Sequence, residues 1–414
     1  MKERKHLTFE EMYGLVVAAQ EGGAVDPALR RLKYDPHHLE CVLRPTPKGA
    51  CAACGGLPGH CPGKAFIDCL FDNVASDAKG GWEFVPRTER CRERIDPAAL
   101  APVIASRDLM DVLAKLRDAG GPAYALVAPA FLSQFRDIDD GQLRTVFKRL
   151  GFAGMVEVSL FADILTLKEA LEFDAKIQDE GDYMLTSCCC PVWIQMIRRL
   201  YPDLLARVPG SVSPMVACGR VVKRLVPGAV TVFVGPCLAK KAEAREPDIG
   251  DAIDHVLTFR EVADLFDAAR VRADDIPPDL REHSSVAGRV YAVSRGVSEA
   301  VALTLDRIRP DKPIRVRSVQ ADGVPECRRL LDELVSGKTT ANFLEGMGCA
   351  GGCVGGPRSL IDRSVATAKV RDYAKKAPYP SPIDNPYVVE LLQRLGIRTI
   401  EELLEDREVF TRHF

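Results

Sequence analysis

The sequence predicts an α/β fold of mostly parallel sheets flanked by helices, behind a small cysteine-rich N-terminal unit. Three observations predict it. Short apolar runs alternate with amphipathic helical stretches from about residue 100 onward, which is the signature of parallel sheets joined by crossover helices. Several of those runs end directly in a loop rich in Pro, Gly or Cys. Cysteines also crowd the first 95 residues, where long periodic runs are few.

Taken in order, residues 1–95 carry Cys41, Cys51, Cys54, Cys61, Cys69 and Cys91 among many Gly and Pro, and read as a metal-held unit. Residues 96–357 follow as the main α/β domain. Its strand candidates are Tyr124–Pro129, Met155–Phe161, Met184–Ser187, Val230–Cys237, Val290–Ser294 and Ile314–Gln320. Helical patterns cover Asp139–Leu150, Thr166–Gln178, Val192–Tyr201 and Arg260–Ala269. Residues 358–414 are polar and helical in pattern, with a Pro-rich break at Ala377–Pro386, and read as a helical C-terminal extension.

Composition narrows the function classes. The chain has 414 residues, 47% hydrophobic and 28% charged, with ample material for a core. A net charge of −2 implies no general polyanion-binding role, so no nucleic-acid partner is expected. No apolar stretch approaches the roughly 20 residues of a membrane span. The charged start lacks a long apolar h-region, so a cytoplasmic location is expected. In a reducing compartment, 14 cysteines favour metal sites over disulfides. Cys218 and Cys327 stand alone and read as buried thiols.

The remaining cysteines are clustered. Cys188, Cys189 and Cys190 are consecutive in Thr186-Ser-Cys-Cys-Cys-Pro-Val-Trp193. Adjacent Cα atoms lie about 3.8 Å apart, below the roughly 4.4–6.8 Å of a disulfide, so this run points to metal ligation or thiol chemistry. Two more runs follow: Gly235-Pro-Cys237-Leu-Ala-Lys240-Lys-Ala-Glu243, and Glu345-Gly-Met-Gly-Cys349-Ala-Gly-Gly-Cys353-Val-Gly-Gly-Pro357. Loops at the carboxyl ends of parallel strands share a crevice, which suits one cluster built from distant segments.

Together these three runs resemble the [FeFe]-hydrogenase signatures TSCCPxW, MPCxxKxxE and ExMxCxGGCxxGG. The resemblance also takes in Val127-Ala-Pro129, the stretch from Gly151 to Glu169, and Ser213-Pro214, and it covers roughly residues 100–357. It implies two lobes of mostly parallel sheets with the cluster in the cleft between them, and a small N-terminal iron–sulfur unit. It further implies an H-cluster: a [4Fe–4S] cluster joined to a diiron subsite carrying CO, cyanide and a bridging dithiolate. By resemblance the metal ligands are Cys190, Cys237, Cys349 and Cys353, with Cys353 bridging. Lys240 would bind a cyanide ligand. Ala128, Pro129, Pro236, Met347 and Ser213 would line the cofactor. Cys189, Glu243, Glu172 and Glu169 would carry protons.

Anchoring on Thr-Ser instead makes Cys189 the ligand and Cys188 the donor thiol. Cys-Cys-Pro-x-Trp is the preferred anchor, because Pro fixes the local backbone and the offset from Glu172 to Cys189 agrees with it. Gly235 stands where the family has Met, which is expected to leave more room in the pocket. Ser211 is the nearest candidate for a relay hydroxyl. These departures, and the tail from Ser381 to Tyr387, resemble the family's sensory members. Cys51-x-x-Cys54 with Cys61-Pro62 resembles a bacterial ferredoxin run with Leu57 at the third position. Cys41 is the favoured fourth ligand of an accessory [4Fe–4S] cluster, with Cys69 and Cys91 the other candidates and a zinc site the alternative.

The expected function is reversible hydrogen chemistry, 2H⁺ + 2e⁻ ⇌ H₂, with H₂ and protons as substrates, ferredoxin or another redox protein as electron partner, and maturation proteins supplying the cofactor. An H₂ or redox sensor signalling to a separate chain is the alternative, and an iron–sulfur relative without the diiron subsite is a second. Metal counting on the isolated 1–95 segment tests its reading: iron with labile sulfide is expected, whereas zinc alone would contradict it.

Overall fold

The computed structural model describes residues 62–412, apart from 78–79, 88–95, 119, 137, 187–188, 272, 274–275 and 280. The expected ligands Cys41, Cys51, Cys54 and Cys61, together with Cys91 and Cys188, lie outside the described residues. Of the first 95 residues, a helix over Pro62–Asp72 and an antiparallel pair, β1 (Val74–Ser76) and β2 (Trp82–Phe84), are described. Cys69 lies on that helix and is half-buried.

The remaining strands build two parallel sheets, as expected. β3 (Ala123–Val127), β4 (Gly154–Glu157), β6 (Val230–Gly235) and β7 (His255–Thr258) form one, in the order β4-β3-β6-β7. β5 (Met184–Leu185), β8 (Ser318–Asp322) and β9 (Phe343–Met347) form the other, in the order β5-β9-β8. All of β3 is buried, and so is all of β6 except Val230. Strands covered on both faces read as continuous apolar runs, which is why AYALV and VTVFVG were legible.

Four expectations shift. The Met155–Phe161 run is a strand only to Glu157; a helix begins at Ser159. The third motif contains a strand, β9, hidden by Glu345 and Gly346, which are poor strand formers. The run at Ile314–Gln320 enters the sheet only at Ser318. The Val290–Ser294 run is no strand: Val290–Ala292 is a 3₁₀ turn. There Ser285 caps the short helix Val286–Arg289, and Arg295 takes a left-handed φ of 72° to open the helix Gly296–Ile308. A short apolar run cannot by itself separate a buried turn from a strand.

The long helix Ser159–Lys176 is the axis of the main lobe. Its residues from Ser159 to Phe173 are all buried, polar ones included. A helix covered all round belongs in the interior, and its packing neighbours are the helices Pro214–Leu225, Val286–Arg289, Gly296–Ile308 and Pro386–Arg394. The C-terminal segment is therefore part of the core: Val388, Val389, Leu392 and Phe410 are fully buried.

Asp163 ties these parts together. Its carboxylate accepts from Ser285 N (2.7 Å), Ser285 Oγ (2.5 Å), Gly288 N (2.8 Å) and Asn385 Nδ2 (3.0 Å). Burial nonetheless pushes its pKa up to about 6. A raised folded-state pKa means that this contribution to stability is fully present below the unfolded value of about 3.9 and is lost as pH rises through 6. Asp163→Ala, which removes the acceptor of these four buried donors, should cost roughly 3–6 kcal/mol in denaturant unfolding. Asp163→Asn should gain on the parent protein by up to ~3 kcal/mol between pH 4 and pH 7. A pH-independent difference would contradict the assignment.

Candidate metal centre

The loops that carry the motif cysteines leave the carboxyl ends of strands. β3 runs into Ala128-Pro129, β5 into the triplet, β6 into Pro236-Cys237, and β9 into Gly348-Cys349. Both sheets therefore contribute to one site, as the crevice rule anticipates.

Glycines let these loops close on one another. A Cβ on Gly346 would overlap the Trp193 ring, which is fully buried. The first motif's helix, Pro191–Leu200, thus seats directly on the third motif's strand. A Cβ on Gly356 would lie 2.9 Å from Pro236 O and 3.0 Å from Pro236 Cβ. Arg358 N also donates to Pro236 O at 3.0 Å, so the third motif closes onto the second.

The four expected ligand thiols share one neighbourhood. Cys190, Cys237 and Cys349 each lie near enough to Cys353 to oppose its ionisation, and Cys190 does the same to Cys237. All four are free thiols. Gly348 N donates to Cys190 Sγ at 3.3 Å. Cys237 receives backbone N–H groups from Ala239 and Lys240. Burial pushes the Cys349 thiol up to about 11 and Cys353 far above the usual thiol range. Among the described residues, no three His, Cys, Asp or Glu side chains are grouped to hold a single metal ion.

Lys240 lies beside this group, buried, 2.7 Å from Glu243 Oε2. The contact lacks hydrogen-bond geometry: Lys240 Nζ and both Glu243 oxygens have no hydrogen-bond partner among the described residues. Glu243, expected in the proton relay, is thus placed as the companion of Lys240. Met347 is buried, with its sulfur against Gly352. Ala128 is buried beside Gly235. The room expected at Gly235 is filled: a Cβ there would meet the Phe233 ring at 2.7 Å and Ala128 Cβ at 3.2 Å. Ser213 caps the helix Pro214–Leu225, accepting from Val216 N.

Cys189 keeps different company. It is half-buried, and its thiol is pushed well above the usual range first by desolvation, then by Cys190 and then by Glu169. Glu169 also acts on Tyr291, whose hydroxyl lies 2.9 Å from Thr166 Oγ1. Thr166 donates its single proton to Ala162 O at 2.7 Å, so Tyr291 is the donor to Thr166. Further along the helix, Glu172 Oε1 accepts from Lys168 Nζ at 2.7 Å and from Ser211 Oγ at 3.5 Å. Lys168 Nζ also donates to Ser211 Oγ at 3.0 Å. The C-terminal segment holds Ser211: Val212 N donates to Phe410 O at 3.0 Å, and Arg412 N to Gly210 O at 2.8 Å. Lys168, Tyr291 and the 409–412 segment escaped the sequence reading. Only the charge of Lys168 could have marked it.

This donor set suits the group that the sequence resemblance implies. Four thiols from separate loops can sit at the corners of an iron–sulfur cluster. A buried ammonium with a single carboxylate neighbour among the described residues can also serve an anionic ligand. Gly346→Ala should cost ~2 kcal/mol or more through the Trp193 clash and should reduce the iron retained after reconstitution; unchanged stability and iron content would contradict the interlock.

Residues 122–357 match the family model for the iron only hydrogenase large subunit, C-terminal domain. Iron hydrogenase 1 of Clostridium pasteurianum is 25% identical over 257 residues, which are 52% of this chain and 45% of that protein. This chain therefore spans about half the length of that relative. A cytosolic Fe–S cluster assembly factor of Scheffersomyces stipitis is 25% identical over 168 residues, 37% of this chain and 31% of the factor. The solved apo [FeFe]-hydrogenase from Chlamydomonas reinhardtii superposes with a TM-score of 0.59 at 19% identity, covering 77% of this chain and 98% of that one. The fold is thus shared, and with more than half its length matched by the family model, the chain belongs to the iron-only hydrogenase large-subunit family.

Proposed function

We propose that this protein interconverts protons and H₂ at an H-cluster held by Cys190, Cys237, Cys349 and Cys353. One observation carries the proposal: the four thiols converge beside a buried Lys240 whose one carboxylate neighbour among the described residues is Glu243, at 2.7 Å. An assembly factor needs the thiols alone; the ammonium suits a site that also takes an anionic ligand. When bound, the cluster supplies the redox chemistry of 2H⁺ + 2e⁻ ⇌ H₂.

The chain's own residues bind and move protons. We assign Cys190 as the ligand of the triplet, because it acts on Cys237, Cys349 and Cys353 alike, and Cys189, which lies under the influence of Cys190, Glu169 and Cys353, as the donor thiol. Burial keeps the Cys189 thiol protonated and able to donate. Glu169 and Glu172 lie three apart on one helix face, and Ser211 stands beside Glu172. We assign the order Glu172, Ser211, Glu169, Cys189 to inward proton movement. Glu243 holds Lys240 toward the cofactor. Ala128, Pro129, Pro236 and Met347 exclude water around it. An external redox protein such as ferredoxin supplies electrons through the N-terminal unit.

A second reading, an H₂ or redox sensor that signals to a separate chain, is favoured by one feature. Where the family carries a methionine thioether, Gly235 and the Phe233 ring stand instead.

Protein reconstituted with iron, sulfide and the diiron cofactor should show infrared bands of CO and cyanide. Iron without those bands would leave an iron–sulfur relative. Cys190→Ser should abolish retention of the diiron group, whereas Cys189→Ala should retain it and slow turnover by at least ~100-fold; the reverse pattern would move the ligand to Cys189. Fast H₂ evolution with a reduced viologen supports the enzyme, and bands without turnover support the sensor.

A further inference from the structure

Lys168 is 3% exposed and sits inside the route assigned above. Its ammonium bridges Glu172 Oε1 at 2.7 Å and Ser211 Oγ at 3.0 Å. Burying an ion pair in a core gains little stability over apolar side chains of the same size, because desolvation offsets the attraction. Packing alone therefore does not call for a lysine here. Its position between a carboxylate and a hydroxyl does have a consequence. An adjacent ammonium favours the ionised form of a buried carboxylate, and without it burial favours the protonated form.

We propose that Lys168 is a positioning residue that holds the outer relay carboxylate, Glu172, ionised, and fixes Ser211 against it. It thereby sets the pH at which protons enter the chain of groups leading to Cys189. The link to proton entry rests on the proposed hydrogenase reading; the hold on Glu172 does not.

Little else compensates Glu172. Its Oε2 is buried and has no hydrogen-bond partner among the described residues. Lys176 Nζ stands 3.9 Å from that atom, but its side chain is 45% exposed. Charges on the packed neighbours are engaged elsewhere, Arg289 of Val286–Arg289 with Glu282. On Pro214–Leu225, Arg220 binds Asp251, Lys223 binds Asp254 and Arg224 binds Glu408. On Gly296–Ile308, Arg307 binds Asp384 and Asp306 binds Arg315. Arg309 bridges Asp174 and Glu401, and on Pro386–Arg394 Glu390 binds Arg394. Among the described residues, removal of Lys168 therefore leaves Glu172 with one cation, the half-exposed Lys176 at 3.9 Å.

The test is an infrared pH titration of carboxyl groups in the metal-free full-length chain. Glu172's band is identified by its loss in Glu172→Gln. In Lys168→Gln that band should titrate about one pH unit or more above the parent, while Lys168→Arg keeps the parent value and Lys176→Met shifts it far less. The same titration in parent and Lys168→Gln would overturn the proposal. Should Lys168→Gln fail to fold, Lys168→Arg still decides, since a raised titration in a variant that keeps the charge contradicts it. In the reconstituted protein, the pH of maximal H₂ evolution should move upward with Lys168→Gln and return with Lys168→Arg. A shifted titration with an unmoved pH profile would overturn the role in proton entry. A parent protein without any H₂ turnover sinks the hydrogenase reading separately, and the titration still decides the hold on Glu172.

Discussion

The seating of Trp193 on Gly346 is the contact on which the rest of the site depends. It presses the helix after the cysteine triplet against β9, the strand that delivers Cys349. Any side chain at Gly346 would separate these two segments. The Gly356–Pro236 approach joins the second motif to the same assembly. Three stretches more than 40 residues apart in sequence thus share one wall, and their cysteines lie near enough to oppose one another's ionisation. Interiors packed at crystal-like density transmit such constraints rather than absorb them.

Beneath that wall lies the helix Ser159–Lys176. It carries an unusual load of buried polar side chains: Asp163, Thr166, Lys168, Glu169 and Glu172. Each has a distinct use. Asp163 fastens the C-terminal segment and the 283–289 turn to the helix. Glu169 faces Cys189 and Tyr291. Glu172 and Lys168 form a pair closed over by Ser211, which bridges to Thr411. The helix is at once the core of the lobe and the line along which protons are proposed to travel. The C-terminal extension takes part in both roles.

Much of this was legible in sequence because chemistry fixed it locally. The motif spacings mark the cluster loops, and β3 and β6 read as strands because both of their faces are buried. Glu169 and Glu172 were legible by their spacing on one helix face. What escaped was set by contacts at long range. Lys168 gave no periodic signal, because the helix is buried on every side. The filling of the space at Gly235 by Phe233 depends on how one strand presents two same-face residues. The apolar run at Val290–Ser294 reads as a strand until Ser285 and Arg295 are seen to turn it between two helices.

The central claim is that four thiols from three distant motifs hold one cluster. It is tested most directly by Mössbauer spectroscopy with iron and sulfide counting on the full-length chain carrying Cys51→Ser, Cys54→Ser and Cys61→Ser, reconstituted without the diiron cofactor. The account predicts a single cubane of about four irons and four sulfides, lost on Cys237→Ser or Cys349→Ser. A chain that binds no iron under these conditions, or binds it equally well without Cys237 and Cys349, would contradict it.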